Sequence, residues 1–404
     1  MKLALLRNLA SASALFTGLF LAANVQAQTY QVLYSFAGGS DGASPSGTLL
    51  RDKNNNLYGT TLSGGNTTCN GFGCGTIFKV SPAGKETVLY RFHGQPDANA
   101  PTSLLVYGSG TLYGTGAGGT SGYGSIFRIN PGEEESLLYS FTGVADGQGP
   151  QSNLIRDGAG NLYGTTLGGG DFSYCFNGCG TVYKVGQSGN HTVLHTFTGP
   201  PDGAYPLAGL VMDAEGNLYG ATNGGGTGAC VTTCGVLFKI DTQGVETIVH
   251  NFAGQPNDGS GPDATLLMDA AGNLYGTTVS GGASNMGTVF KLDPQGVVTI
   301  LHSFTGGRDG GSPSTQVIRD TAGNLWGTTY SGGLSSCGFQ GEGCGVIFRI
   351  DSIGTFSVVH AFTDGADGGF PYFGGLTLDP AGNLYGVTVD GGTSGNGVVF
   401  KVTP

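Results

Sequence analysis

The chain has 404 residues, of which 79 are Gly and only 11% are charged, and its formal net charge is −11 at pH 7. Setting aside Lys2 and Arg7, which belong to the N-terminal segment described next, leaves 14 basic against 27 acidic residues, a net −13. Such a field repels nucleic acid and an acidic membrane surface alike. The Gly follows no Gly-X-Y period and stands beside plentiful apolar and aromatic residues, so it reads as many tight turns between short strands.

Residues 1–27 read as a secretory signal. Lys2 and Arg7 give a positive start, an apolar stretch follows around Leu15, Phe16 and Leu19 to Leu21, and Val25-Gln26-Ala27 places small residues for cleavage after Ala27. The apolar run is shorter than the roughly 20 residues a membrane span needs. No second such run occurs, and no hydrophobic tail follows Lys401 to Pro404. The expectation is a soluble protein, secreted or periplasmic, with residues 28–404 as one domain.

From there on, one phrase recurs. It is Asn56-Leu57-Tyr58-Gly59, then Thr111 to Gly114, Asn161 to Gly164, Asn217 to Gly220, Asn273 to Gly276, Asn324-Leu325-Trp326-Gly327 and Asn383 to Gly386: seven copies, 50 to 59 residues apart. Each copy keeps the same order of landmarks. Asp-x-x-x-Pro comes first (Asp41 to Pro45), then the Leu-aromatic-Gly phrase, then Gly-Gly (Gly64-Gly65). Next is Gly-x-apolar-aromatic-(Lys/Arg) (Gly75 to Lys79), and last an apolar run ending in Phe (Phe92). In the fourth copy the strand-sized pieces are Gly209 to Met212, Asn217 to Thr222, Val236 to Ile240 and Glu246 to Phe252. They are rich in β-branched and aromatic residues and bounded by turn formers.

Four short antiparallel strands repeated seven times specify an all-β, seven-bladed β-propeller. Each blade needs its neighbours to cover its faces, and the Tyr58-type ring is a natural filler between them. The chain begins with a fourth-strand piece, Tyr30 to Phe36, and ends with a third-strand piece, Val398 to Val402. The N-terminal strand is therefore expected to complete the last blade, leaving no open edge.

Phrases such as Gly216 to Thr222, Gly224-Gly225 and Gly235 to Lys239 resemble the Gloeo/Verruco repeat family of exported bacterial proteins, over essentially the whole chain after the signal. The resemblance implies a propeller-like fold and export. It implies no reaction and no cofactor.

The eight cysteines fall as Cys69/Cys74, Cys175/Cys179, Cys230/Cys234 and Cys337/Cys344, always between the Gly-Gly and the third strand. Local, even pairing in an exported chain reads as disulfides. Closing loops this small stabilises by about 2 kcal/mol or less, so the bridges are expected to pin loops more than to hold the fold. A structural zinc would need four converging ligands, and equivalent loops on different blades are spread around a ring; no metal is expected.

What repeats seven times reads mostly as scaffold. The Asp of Asp-x-x-x-Pro and the Asp of the first hairpin cap turns. The Lys79-type residue is expected to pair with a nearby Asp. His195, His250, His302 and His360 fill the slot held elsewhere by Tyr34, Tyr90 and Tyr139, a packing position with a polar tip. His93 and His191 show no evident partner. No nucleophile elbow, zinc-protease motif or EF-hand loop is present.

Off-repeat residues concentrate in two sets of loops expected on one face. The second-to-third-strand loops carry Phe72, Tyr123, Phe172, Tyr174, Phe176 and Phe339, and the interblade links carry Tyr205, Phe370, Tyr372 and Phe373. Asp171 and Glu342 are the off-repeat acids of the loops. Stacking rings beside carboxylates suit a glycan or an extracellular protein. The bland alternative is that the rings fold down onto their own loops. The leading expectation is a noncatalytic, monomeric binding propeller. The alternatives are a polysaccharide lyase or hydrolase acting at the channel mouth, which needs symmetry-breaking acids there, and a structural cell-surface protein.

Overall fold

The computed structural model describes residues 28–404 except 67, 68, 70, 108, 109, 131, 133, 134, 229, 231–233, 339, 340 and 373; of residues 105–107 it describes the backbone alone. The segment read as a signal, with its cleavage site, lies outside the described residues.

Seven four-stranded antiparallel sheets succeed one another along the chain. In the fourth blade the strands are Val211–Met212, Leu218–Thr222, Val236–Ile240 and Glu246–Asn251, within two residues of the sequence reading at every boundary. First strands from all seven blades contribute to one central cavity, through residues such as Thr48, Thr102, Ser152, Gly209, Thr265, Thr315 and Gly375. The first strand of each blade is therefore the innermost, and the fourth is the outermost.

Closure follows the expected route. Thr29–Ser35 pairs antiparallel with the last strand, from Thr29↔Thr403 to Ser35↔Val398, and supplies the fourth strand of blade seven. Phe36 N–H donates to the Gly397 carbonyl at 3.0 Å.

The packing explains the motif. Seven apolar clusters sit between blades, each drawing residues from two neighbours. At the centre of each, the Phe that ends one blade meets the third-strand aromatic of the next, with centroids 5.0 to 5.6 Å apart: Phe36–Phe78, Phe92–Phe127, Phe141–Tyr183, Phe197–Phe238, Phe252–Phe290, Phe304–Phe348 and Phe362–Phe400. These fully buried rings fill the interfaces. The Tyr58-type ring fills the same interfaces beside them, buried in the cluster at Tyr275, Trp326 and Tyr385 and packed at its edge at Tyr113, Tyr163 and Tyr219. The Gly after it is obligatory for space, since a Cβ on Gly220 would stand 2.5 Å from the Phe238 ring.

The interblade link runs beside the Gly-Gly segment. Gly203–Ala204 pairs with Gly224–Gly225, and Gly259–Ser260 with Ser280–Gly281. Links and second-to-third-strand loops thus share one face, called the upper face below. The residue before the link Pro is left-handed in every blade. Blades three and five place Gly149 and Gly261 there, but blades four and seven force Tyr205 (φ 58°) and Phe370 (φ 55°) into it. A bulky side chain in this region is uncommon and strained, and such strain is found where a function holds it.

Candidate site on the upper face

The sevenfold residues resolve into scaffold. Each link Asp closes its own turn, accepting a hydrogen bond from a backbone N–H four or five residues back, and all but Asp202, which stands 3.4 Å from His195, accept another from the Tyr or His of the fourth strand. Examples are Tyr34 Oη to Asp41 at 2.9 Å and His250 Nε2 to Asp258 at 3.0 Å. Burial holds His302 and His360 below the usual histidine range, and the adjoining Asp only partly offsets it. His191 does have a partner, stacking on Tyr139 with centroids 4.3 Å apart; His93 stands 3.8 Å from Asp97.

On the opposite face, each hairpin Asp gathers an Asn and an aromatic. Asp213 accepts from Asn217 Nδ2 at 2.7 Å and from Tyr219 Oη at 3.3 Å; burial raises its pKa, but these bonds outweigh it and hold the carboxyl low. The repeated cation, expected to pair with a nearby Asp, lies over the ring, as Lys239 does over Tyr219 at 5.6 Å, and its charge helps to lower Asp213. The reason is register: Tyr219 and Lys239 are directly opposed on neighbouring strands.

The four disulfides join the expected partners, with Cα atoms 5.1 to 5.6 Å apart. Their place adds a packing role to the loop-pin reading. Cys74, Cys175, Cys179, Cys234 and Cys344 are buried in interblade clusters, so the bridges cap the apolar core at the upper face. The space above a link Gly is filled from the loop in several ways. Cys69 lies over Gly94 and Cys230 over Gly254, whereas Tyr123 lies over Gly143 and Tyr174 over Gly199.

That contact sorts the aromatic candidates. Tyr123 and Tyr174 rest one ring edge on a link Gly, yet remain 47% and 60% exposed. Phe172 is 48% exposed, while Phe72 (82%) and Phe176 (95%) stand out into solvent. Tyr205, Phe370 and Tyr372 are half-buried in the links. Phe339 and Phe373 lie outside the described residues. The structure brings two groups together. Tyr123 and Tyr205 line a groove of about 310 Å³ across blades two to four, with Leu167 and the amides of Gln148 and Asn177. Phe370 and Tyr372 meet Tyr330, with centroids 5.4 and 5.1 Å away.

The residue that sequence reasoning missed is Asp263. It follows the link Pro, and the seven residues in that position (Ser46, Thr102, Gln151, Leu207, Asp263, Ser314, Tyr372) are of six kinds. Five of them, Asp263 included, line the central cavity, whose other lining residues carry no charge. Water reaches Asp263 along the channel, but protein surrounds it. Burial pushes its carboxyl up to about 6, against the pull of the Asn223 amide, which donates to it at 2.5 Å. Burial also raises Tyr372, and the charges of Asp263 and then Tyr330 add to it. Among the described residues no Lys, Arg or His forms an ion pair with Asp263. The signal was present as the one carboxyl in a register that otherwise holds neutral residues. Asp171 and Glu342 do not reach the channel: Asp171 caps the Ser173 amide, and Glu342 lines a separate hollow with Arg308.

Among the described residues, one group could hold a metal. His195, Asp202 and Glu246 place ligand atoms within 4.8 Å of one another. It lies on the outer strands, and its acid pair recurs where Glu86 meets Asp41 and Glu135 meets Asp97. Burial first, then the neighbouring Asp, pushes both Glu86 and Glu135 up to about 7.

A Gloeobacter/Verrucomicrobia repeat matches residues 11–175, 70–270 and 228–404. No curated protein matches the chain. Among solved structures, the chain is similar to the extracellular domain of a protein from B. thetaiotaomicron described as a hybrid two-component system (13% identity, TM-score 0.58, covering 92% of this chain and 41% of that one). It is also similar to the extracellular domain of a one-component system from the same organism (10%, TM-score 0.57, 92% and 39%). The chain spans about two fifths of the length of these two. A Xanthomonas campestris gluconolactonase aligns at 15% identity and TM-score 0.45, over 96% of this chain and 93% of that one. At these identities the likeness concerns the fold. Among the described residues, no helix is long and apolar enough to cross a membrane.

Proposed function

The chain belongs to the Gloeobacter/Verrucomicrobia repeat family, and from that premise we propose that it is an exported, noncatalytic binding propeller that holds an extracellular glycan across its upper face. The observation that carries this reading is the asymmetry of that face. The scaffold repeats seven times, yet among the described residues the loop aromatics Phe72, Tyr123, Phe172, Tyr174 and Phe176, all about half exposed or more, project from blades one to three. Beside them runs a groove of aromatic rings and amides with no charged lining residue. Flat rings that take the apolar face of a sugar, with amides for its hydroxyls, are what a neutral glycan chain requires. Strain at Tyr205 fits the same reading, because blades three and five reach this backbone shape with Gly. Four disulfides support an oxidising compartment.

A hydrolase of the usual two-carboxylate kind is disfavoured, since the channel lining supplies one acid. A glycan array probed with residues 28–404 tests the proposal. Binding to a defined group of glycans is expected; no binding to any glycan overturns it.

A further inference from the structure

We propose that the channel mouth is a subsite for an ammonium group carried by the ligand, the charged amine of an amino sugar being the natural form. This deepens the glycan reading above and rests on it. The subsite is built from Asp263, its partner Asn223, and the Tyr330–Tyr372 ring pair.

Three features select an ammonium. The first is charge. Asp263 is the one charged residue lining the cavity, and among the described residues it has no basic ion-pair partner. A carboxylate so placed is costly until a cation joins it, and a single positive charge neutralises it. The second is size. The cavity holds about 60 Å³, room for about two water-sized groups. A charged amine enters; the sugar ring that carries it stays at the mouth, level with Tyr372. The third is the lining. The carboxyl and the Gln151, Asn153 and Ser314 oxygens of the same lining can accept N–H bonds, and the Tyr372 ring, close enough for the charge of Asp263 to act on it, offers a negative π face to a cation. Calcium fits less well. It takes six to eight oxygens, commonly from several carboxylates, and one carboxylate would leave half its charge unbalanced.

Methylammonium chloride is the probe that does not depend on any glycan. Titrated into the protein (residues 28–404) and followed by carboxyl carbon NMR, it is expected to lower the Asp263 pKa by at least half a unit, with the assigned signal missing in Asp263→Asn. Glucosamine is then expected to bind at least tenfold more tightly than glucose at pH 7.5. Asp263→Asn should erase that preference, and Tyr372→Leu should weaken it severalfold. An Asp263 titration indifferent to methylammonium overturns the inference, as does an amine preference that survives in Asp263→Asn. Calcium binding that depends on Asp263 overturns it too, in favour of a metal site. If glucosamine and glucose bind equally, the inference falls and the glycan reading stands. If methylammonium acts at Asp263 but the array shows no glycan, the subsite stands on an amine ligand of another kind.

Discussion

Phe36→Ala is expected to destabilise the propeller by about 3 to 5 kcal/mol, the range for truncating a fully buried aromatic. Phe36 is 0% exposed and meets Phe78 of blade one with centroids 5.0 Å apart. It also ends the strand that completes blade seven. One side chain therefore closes two features of the ring at once. Phe92→Ala is the control, since Phe92 makes the equivalent contact with Phe127 at 5.0 Å inside the continuous chain. Equal losses in urea unfolding are expected if the closing interface matches the others. A loss below about 1 kcal/mol for Phe36→Ala alone would show that closure does not run through this strand.

Asp263→Asn is expected to stabilise the protein at pH 8 and to change little at pH 4. The folded-state pKa is raised to about 6, above the roughly 3.9 of an unfolded chain, so the folded form binds the proton more tightly. The protonated acid's contribution is fully present below the unfolded value and is lost as pH rises through about 6. A shift of about two units corresponds to at most about 3 kcal/mol. Water in the channel screens part of it, leaving about 1 to 2 kcal/mol. Asn keeps the shape and an oxygen to accept from Asn223, without the charge. Glu86 and Glu135 slope the wild-type curve the same way, so the quantity to measure is the difference between variant and wild type at each pH, in buffer free of amines. A difference that is flat from pH 4 to 8 would contradict the placement of Asp263.

Much of the fold was legible because a propeller writes its period into the sequence. Leu-aromatic-Gly marks the second strand, Gly-x-apolar-aromatic-Lys the third, and the split of the seventh blade between Tyr30 to Phe36 and Val398 to Val402 gives the closure. Local cysteine spacing was enough for the disulfides, but not for their burial, which depends on the next blade. The Phe36–Phe78 type of pair was not legible either, because its two rings come from different repeats. The site divides in the same way. Tyr123 and Phe176 could be singled out as departures from the repeat. Asp263 is the one carboxyl of its register, but after Pro262 it reads as one more loop acid. Only the closing of seven links around one axis turns it into a lone charge in a channel. Backbone strain at Tyr205 and Phe370 is likewise invisible in sequence, where Asp-x-x-x-Pro reads as an ordinary turn.

The central claim is that function lies where the upper face departs from the repeat, not in what recurs. It is tested by calorimetric titration of a glycan bound by the wild type against two variants. Tyr123→Ala removes a groove ring of the upper face, half-exposed and off-repeat. Tyr163→Phe removes a repeated hydroxyl of the opposite face, bonded to Asp157 at 2.9 Å. The account predicts at least a tenfold loss of affinity for Tyr123→Ala and wild-type affinity for Tyr163→Phe. Unchanged binding in Tyr123→Ala, with loss in Tyr163→Phe, would contradict it.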